Sequence, residues 1–146
     1  MNRFLVVFDT NVIVSALLAD DNYSNEVKLM EYINLNIITP IFSEDIMKEY
    51  KEVLSRVEFG FNKKSVGDMI SRFKKKGILI KPQKLDLKFK DMSDLKFYEV
   101  IMEKKDKNTK LVTGNIKDFP VDKRIVTPRE LLKMIKGNLF YVGCNK

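Results

Sequence analysis

Residues 4–8 read Phe4-Leu5-Val6-Val7-Phe8, and the polar residues Asp9-Thr10-Asn11 follow them directly. A run of five apolar residues rich in aromatic and β-branched side chains is typical of a strand buried on both faces, as in a parallel sheet. The mainly apolar residues 12–18 then predict a helix, with Asn11 as its N-cap. A buried strand that passes through polar residues into a helix indicates an α/β fold.

The rest of the chain continues this alternation of strands and helices. We predict strands over 36–39, 78–80, 110–113 and 124–126, and helices over 24–34, 43–57, 62–76, 93–105 and 128–135. Pro40 is expected to end the second strand, and residues 139–142 suit an edge strand that the pattern does not place. The alternation predicts a parallel sheet covered on both sides by helices, with a functional site beyond the carboxyl ends of its strands.

The composition limits the chemistry that the chain can perform. Its 146 residues are 45% hydrophobic, which suffices for one domain, residues 1–146, with its own core. The chain has no His, which excludes mechanisms that use imidazole as base, relay or metal ligand. The one Cys, Cys144, excludes a CxxC redox motif, a sulfur-based zinc site and an internal disulfide. Carboxylates, amides, hydroxyls and lysines remain.

The net charge of +7 is compatible with a nucleic-acid partner. Lysines gather in the predicted helix 62–76, which includes the run Lys74-Lys75-Lys76, and near the end of the predicted helix 93–105. A Lys-rich composition gives the same surplus in a protein that binds no nucleic acid, so charge alone is weak support. No apolar run approaches the roughly 20 residues of a membrane helix, and no cleavage-site pattern follows Met1. We therefore expect a cytoplasmic protein without membrane attachment.

Two acidic residues occupy positions where a merely solvated charge is not expected. Asp9 directly follows the buried strand, where sites of this fold class form; alternatively, it accepts hydrogen bonds from the next helix. Asp94 lies three, four and seven positions before the apolar Phe97, Tyr98 and Ile101, which places it on the buried side of its helix. The alternative role for Asp94 is to interact with the helix dipole.

Two further groups of polar residues are candidates. The apolar stripe of the helix over 43–57 is formed by Ile46, Tyr50, Val53 and Val57. Glu49 falls at the edge of this stripe, whereas Glu44 and Glu52 point away from it; a surface salt bridge from Glu49 to a neighbouring lysine is equally compatible with the pattern. Asn115 and Asp118 follow the strand 110–113, where an ordinary turn is the alternative.

Clustered carboxylates would require a counter-charge. Like charges in one pocket are relieved by protonation or by a cation. Oxygen ligands without His or Cys favour Mg²⁺ or Mn²⁺. An acidic pocket on a basic chain indicates metal-assisted cleavage of phosphodiesters, in which the metal lowers the pKa of a bound water. The number of ions, one or two, stays open.

Several stretches resemble the PIN-domain family, in particular the bacterial toxins of PIN-type toxin–antitoxin pairs. The matching stretches are 8–17, 46–56, 93–98, 111–115 with Phe119-Pro120, and the closing 127–132. The resemblance implies a three-layer α/β/α sandwich with a central, mainly parallel sheet. It also implies Mg²⁺- or Mn²⁺-dependent endoribonuclease activity, a dimer and a small antitoxin partner.

The resemblance also carries site residues onto this chain. It implies that Asp9, Glu49 and Asp94 hold the metal and act in catalysis. Many PIN domains have Asp where this chain has Asn115, whose amide oxygen can ligate a metal but brings no charge. Asp118, three residues on, is a candidate to compensate.

Other functions fit the sequence less well. Phosphatases of the haloacid dehalogenase type need a second Asp where this chain has Asn11, and a receiver-type phosphoacceptor domain needs further acids before its switch strand. The chain has no Gly-rich turn for a Rossmann or P-loop nucleotide site. The main alternative is a weak or inactive PIN-fold domain that binds RNA or a protein without turnover.

Overall fold

The strands and helices of the chain alternate as the sequence predicts. A computed structural model describes residues 3–144. Its strands are β1 (Phe4–Phe8), β2 (Ile38–Phe42), β3 (Ile78–Leu79), β4 (Thr109–Val112) and β5 (Ile125–Val126). Its α-helices are α1 (Thr10–Leu18), α2 (Asn25–Asn34), α3 (Glu44–Leu54), α4 (Lys63–Lys76), α5 (Leu95–Glu103) and α6 (Pro128–Cys144). Short 3₁₀ turns cover Val57–Phe59, Met92–Asp94 and Ile116–Asp118.

The five strands form one parallel sheet in the order β3-β2-β1-β4-β5 within the described residues. From β1 the chain first adds β2 on one side, and later β4 on the other. The order therefore reverses between β1 and β4, and the crevice at their carboxyl ends is where such folds bind ligands. The predicted α/β architecture is confirmed.

The core is centred on β1, whose Val6, Val7 and Phe8 are fully buried. Helix α5 packs against β1, β2 and β4, while α2 packs against α1, α6 and β2. Burying the first strand on both faces explains its uninterrupted apolar sequence, since neither face has water to solvate a polar side chain. No helix within residues 3–144 is long and apolar enough to cross a bilayer.

Pro40 does not end the second strand, contrary to the prediction. It lies in the middle of β2 and pairs with Val6 of β1. Phe42 accepts a hydrogen bond from the Ile80 N–H, so alternate residues of β2, including Pro40, direct their backbone groups toward β3. Since the pairing with β3 begins only at Ile41, the missing N–H of Pro40 removes no bond of the ladder.

Two helix ends also differ from the prediction. Helix α3 ends at Leu54, so Val57 is not part of its buried stripe and is 93% exposed. Helix α6 continues to Cys144 instead of ending near Ile135, and residues 139–142 are helical rather than an edge strand. At the end of α3 the backbone becomes extended at Arg56, which removes Val57 from the helix. Residues 139–142 suit a strand or a helix equally, since a short apolar run does not determine its own period.

Candidate active site

Asp9 lies at the crevice between β1 and β4 and begins helix α1. It is the N-cap, accepting a hydrogen bond from the Asn11 N–H at 3.3 Å, so the prediction of Asn11 as N-cap was wrong by two residues. The second oxygen of Asp9 accepts a hydrogen bond from the Thr113 hydroxyl at 2.8 Å. Asp9 is 7% exposed, and both of its expected roles, cap and crevice residue, are present.

Glu49 is brought to the same crevice by a contact of its neighbour in sequence. The buried Tyr50 hydroxyl donates a hydrogen bond to the Phe8 carbonyl at 2.5 Å, which fixes α3 against the end of β1. One Glu49 oxygen accepts from the Thr10 hydroxyl. The other lies 2.7 Å from the Lys96 ammonium. The alternative given for Glu49, a surface salt bridge to a neighbouring lysine, is not found among the described residues: its partner is Lys96, 47 positions away.

Asp94 ends the 3₁₀ turn Met92–Asp94 and occupies the N-cap position of α5. It is half-buried, whereas Phe97 and Ile101 of the same segment are fully buried. The predicted inward face of this helix is therefore correct. Asp94 lies on the same side of the segment, directly before the first residue of α5.

Asp9, Glu49 and Asp94 line one cleft of about 510 Å³. The other side chains around it are Thr10, Asn11, Glu52, Val53, Arg56, Phe59, Asp91, Ser93 and Lys96. Three carboxylates separated by 40 to 85 positions in sequence thus meet at one edge of the sheet. Glu52, expected to point away, lies on the rim and pairs with Arg56 at 3.1 Å.

The acidic groups of the cleft disfavour one another's charge. Burial, followed by the charges of Glu49 and Asp118, raises the pKa of Asp9 against the lowering effect of its Thr113 and Asn11 hydrogen bonds. Burial, then the charges of Asp9, Asp91, Asp118 and Glu49, raises the pKa of Asp94 to about 6. Raised carboxylate pKa values concentrated in a cleft are typical of functional sites.

Asn115 and Asp118 flank this cleft without lining it. The exposed Asn115 donates its backbone N–H to the Thr113 hydroxyl at 3.1 Å, so it supports the threonine that holds Asp9. Asp118 lies in the 3₁₀ turn after β4, near enough for its charge to raise the pKa of both Asp9 and Asp94. The structure thus places both residues beside the three central acids.

Sequence reasoning missed the residues that hold the carboxylates in place. Thr113 and Thr10 had a usable signal, since Thr113 directly follows β4 and Thr10 lies two residues after β1. Lys96 had none, because a lysine near a helix start is usually a solvated charge. Its side chain is only 21% exposed, and it also donates to the Ser93 carbonyl at 2.8 Å.

A family model described as a PIN domain matches residues 5–117 of the chain. The chain belongs to the PIN-domain family. The match spans the PIN segments that carry Asp9, Glu49, Asp94 and Asn115, and it stops one residue before Asp118. PIN domains are generally nucleases that depend on divalent metal ions, and their usual partner is RNA. Neither the comparison with curated proteins nor that with solved structures returned a match.

The donor chemistry of this PIN domain fits a hard divalent cation. Burial and neighbouring acids disfavour the charge of both carboxylates, with Glu49 and Asp118 acting on Asp9 and with Asp9 among the acids that act on Asp94; a bound cation relieves this condition. Among the side chains that the structure describes, residues 3–139, no three acidic groups stand close enough to hold a metal as they are arranged. Both oxygens of Glu49 are engaged, one by Thr10 and one by Lys96.

Proposed function

We propose that this PIN domain is a metal-dependent endoribonuclease that hydrolyses phosphodiester bonds with Mg²⁺ or Mn²⁺. The observation that supports this most is the convergence of Asp9, Glu49 and Asp94 on one cleft at the switch point of the sheet. The raised pKa of Asp94 and the absence of His from the sequence agree with chemistry based on carboxylates and a cation.

The residues of the chain have separable tasks in this proposal. Asp9, Glu49 and Asp94 would hold the metal, with Asn115 and Asp118 as additional oxygen donors beside them. When bound, the metal supplies an activated water and neutralises charge on the phosphate. Thr113 and Thr10 donate hydrogen bonds to Asp9 and Glu49, and these bonds fix the orientation of the two carboxylates.

Cleavage of a labelled RNA with and without Mn²⁺ tests the proposal. We expect Asp9→Asn, Glu49→Gln and Asp94→Asn each to reduce cleavage on the order of 100-fold, because each removes an anionic ligand. Asp68→Asn, an exposed acid on α4, is the matched control and should cleave as the wild type does. Activity that survives Asp9→Asn would come from a contaminating nuclease and would argue against the assignment.

Metal binding is measured separately from cleavage. Mn²⁺ should raise the melting temperature of the wild type, because only the folded protein binds the ion. It should not raise that of Asp9→Asn, because this variant lacks one carboxylate of the site. Equal stabilisation of both proteins would place the metal elsewhere.

We further propose that the protein is the toxin of a toxin–antitoxin pair, acting in the cytoplasm as a dimer that a small antitoxin inhibits. This rests on the resemblance of the acidic segments to such toxins. Induced expression in bacteria should arrest growth, and Asp9→Asn should abolish the arrest. Arrest that persists in this variant would contradict a nuclease toxin.

Sedimentation of the purified chain tests the dimer, for which we expect the mass of two chains.

The second candidate is a PIN-fold domain that binds RNA or a protein without turnover. Two observations favour it: Asn115 stands where many PIN domains have Asp, and Lys96 occupies one oxygen of Glu49. Asn115→Asp discriminates between the candidates. If the protein is an active enzyme, the substitution changes the rate of RNA cleavage that the wild type already shows. If it is a binding domain, neither protein cleaves the RNA, but the affinity of each protein for the RNA can be measured.

A further inference from the structure

Lys96 is the innermost cation of the acidic cleft. Its ammonium lies 2.7 Å from one Glu49 oxygen and 2.8 Å from the Ser93 carbonyl, so it joins helix α3 to the turn that carries Asp94. The two side chains of this ion pair are only 21% and 17% exposed. A partly buried pair with two hydrogen bonds is stronger than an ordinary surface pair, because water screens it less.

The other cation of the cleft is bound differently. Arg56 pairs with Glu52 at 3.1 Å, four residues apart on one helix, and these side chains are 46% and 68% exposed. This pair lies on the rim of the cleft and engages none of Asp9, Glu49 and Asp94 in a salt bridge among the described residues. Of the two cations, Lys96 is the one that contacts a central carboxylate.

Lys96 also accounts for an arrangement that family membership leaves unexplained. Three acids line one cleft, yet within the described chain they do not form a group ready to hold a metal. Glu49 is turned toward Lys96 with one oxygen and toward Thr10 with the other. A cation that approaches Asp9 and Asp94 therefore has to compete with the Lys96 ammonium for Glu49.

We propose that Lys96 is a positioning residue that serves as an internal counter-ion: it holds the Glu49 carboxylate in the cleft of the metal-free protein and competes with a divalent cation for it. This inference rests on the metal site of the proposed function. The competition makes the metal affinity of the wild type lower than the carboxylates alone would give. The ion pair keeps Glu49 ordered when no metal is bound.

Mn²⁺ affinity measured by calorimetry tests the competition. Lys96→Met should bind Mn²⁺ about tenfold more tightly than the wild type, because the carboxylate no longer exchanges one cation for another. Lys96→Arg, which keeps the charge, should restore an affinity near that of the wild type. Arg56→Met is the matched control: it removes one positive charge from the same cleft without freeing Glu49.

The outcomes separate this inference from the proposed function. An affinity of Lys96→Met equal to or weaker than that of the wild type would overturn the counter-ion role. An equal gain in Arg56→Met would also overturn it, since the effect would then belong to the charge of the cleft as a whole. If neither the wild type nor Lys96→Met binds Mn²⁺, the metal site of the proposed function fails as well.

A second measurement needs no metal. In EDTA, a double-mutant cycle measures the free energy of unfolding of the wild type, Lys96→Met, Glu49→Gln and the double variant. We expect the two losses to be non-additive, since each single change removes the same ion pair. Strict additivity would show that Lys96 does not hold Glu49, even if both variants fold.

Discussion

Asp94 illustrates at the scale of one residue how the cleft stores unfavourable charge. Burial and the charges of neighbouring acids raise its pKa to about 6, from an ordinary value of 3.8. In the folded protein its ionised form is therefore disfavoured relative to the unfolded chain. This cost is absent below pH 3.8, develops as the pH rises toward 6, and is fully present above 6.

Asp94→Asn should therefore stabilise the metal-free protein at neutral pH. We expect the free energy of unfolding in EDTA to increase by about 1 kcal/mol at pH 7.5, a figure reduced for the solvent screening of a half-exposed carboxylate. The gain should vanish near pH 3, below the ordinary pKa of 3.8, where the wild-type carboxyl is protonated in both states. Chemical denaturation at the two pH values measures the difference.

Asp91 in the same cleft provides a control of opposite sign. Hydrogen bonds from the Ser93 hydroxyl and backbone N–H lower its pKa, so its ionised form stabilises the fold, and that stabilisation is lost as the pH falls through the folded-state pKa. Asp91→Asn should thus lower stability at pH 7.5. If both variants shift stability in the same direction, the electrostatic account of Asp94 is wrong.

At the scale of elements, the junction of α4 with β3 depends on the missing side chain of Gly77. A Cβ at Gly77 would lie 2.5 Å from the carbonyl oxygens of Phe73 and Pro40 and 2.8 Å from the Phe42 ring. The two carbonyls belong to α4 and to β2, and neither is a flexible group that can move aside. This close approach lets the chain leave α4 and enter the sheet edge directly.

Gly77→Ala should consequently destabilise the protein by about 2–3 kcal/mol, as overpacking against backbone does. Gly67→Ala is the matched control, since nothing lies within 4 Å of a Cβ at Gly67 of α4. In that exposed helical position alanine should raise stability by up to about 1 kcal/mol. Thermal unfolding measures the stability of both variants. An equal change in stability for Gly77→Ala and Gly67→Ala would refute the close-approach argument.

At the scale of the whole molecule, an acidic cleft lies on a strongly basic protein of net charge +7. Glu49 and Glu52 of α3 line the cleft, whereas Lys48 and Lys51 of the same helix line a separate groove of about 490 Å³, together with Glu44 and with Lys74 of α4. Contact with the like-charged Lys51 lowers the pKa of Lys74. Two adjacent ammonium groups favour an anion between them.

We expect this groove to contribute to RNA affinity outside the cleft. The double variant Lys51→Glu/Lys74→Glu should bind a labelled single-stranded RNA in EDTA more weakly. The magnitude of its slope of log affinity against log salt should fall by about 0.7 for each phosphate that the groove no longer neutralises. The double variant Lys133→Glu/Lys136→Glu on α6, outside this groove, changes the net charge by the same amount and is the control. A decrease in affinity that is the same for both proteins would indicate only the net charge.

The sequence by itself determined the local structure and the identity of the reactive groups. The apolar run of β1, the helix starts near residues 24, 43 and 62, and the absence of His follow from side-chain chemistry acting over a few residues. The same reasoning selected Asp9, Glu49 and Asp94, because each stands where a charge meets a buried face. It misjudged Pro40, since the cost of a proline depends on where the neighbouring strand begins.

Only the tertiary structure decided which of these groups meet. Thr113 reaches Asp9 across 104 positions, and Lys96 reaches Glu49 across 47, because β4 lies beside β1 and the start of α5 lies beside α3. Periodicity records which face of an element is buried, but it carries no information on which distant element covers that face. The order of the strands supplies this information, and with it the charge balance of the cleft.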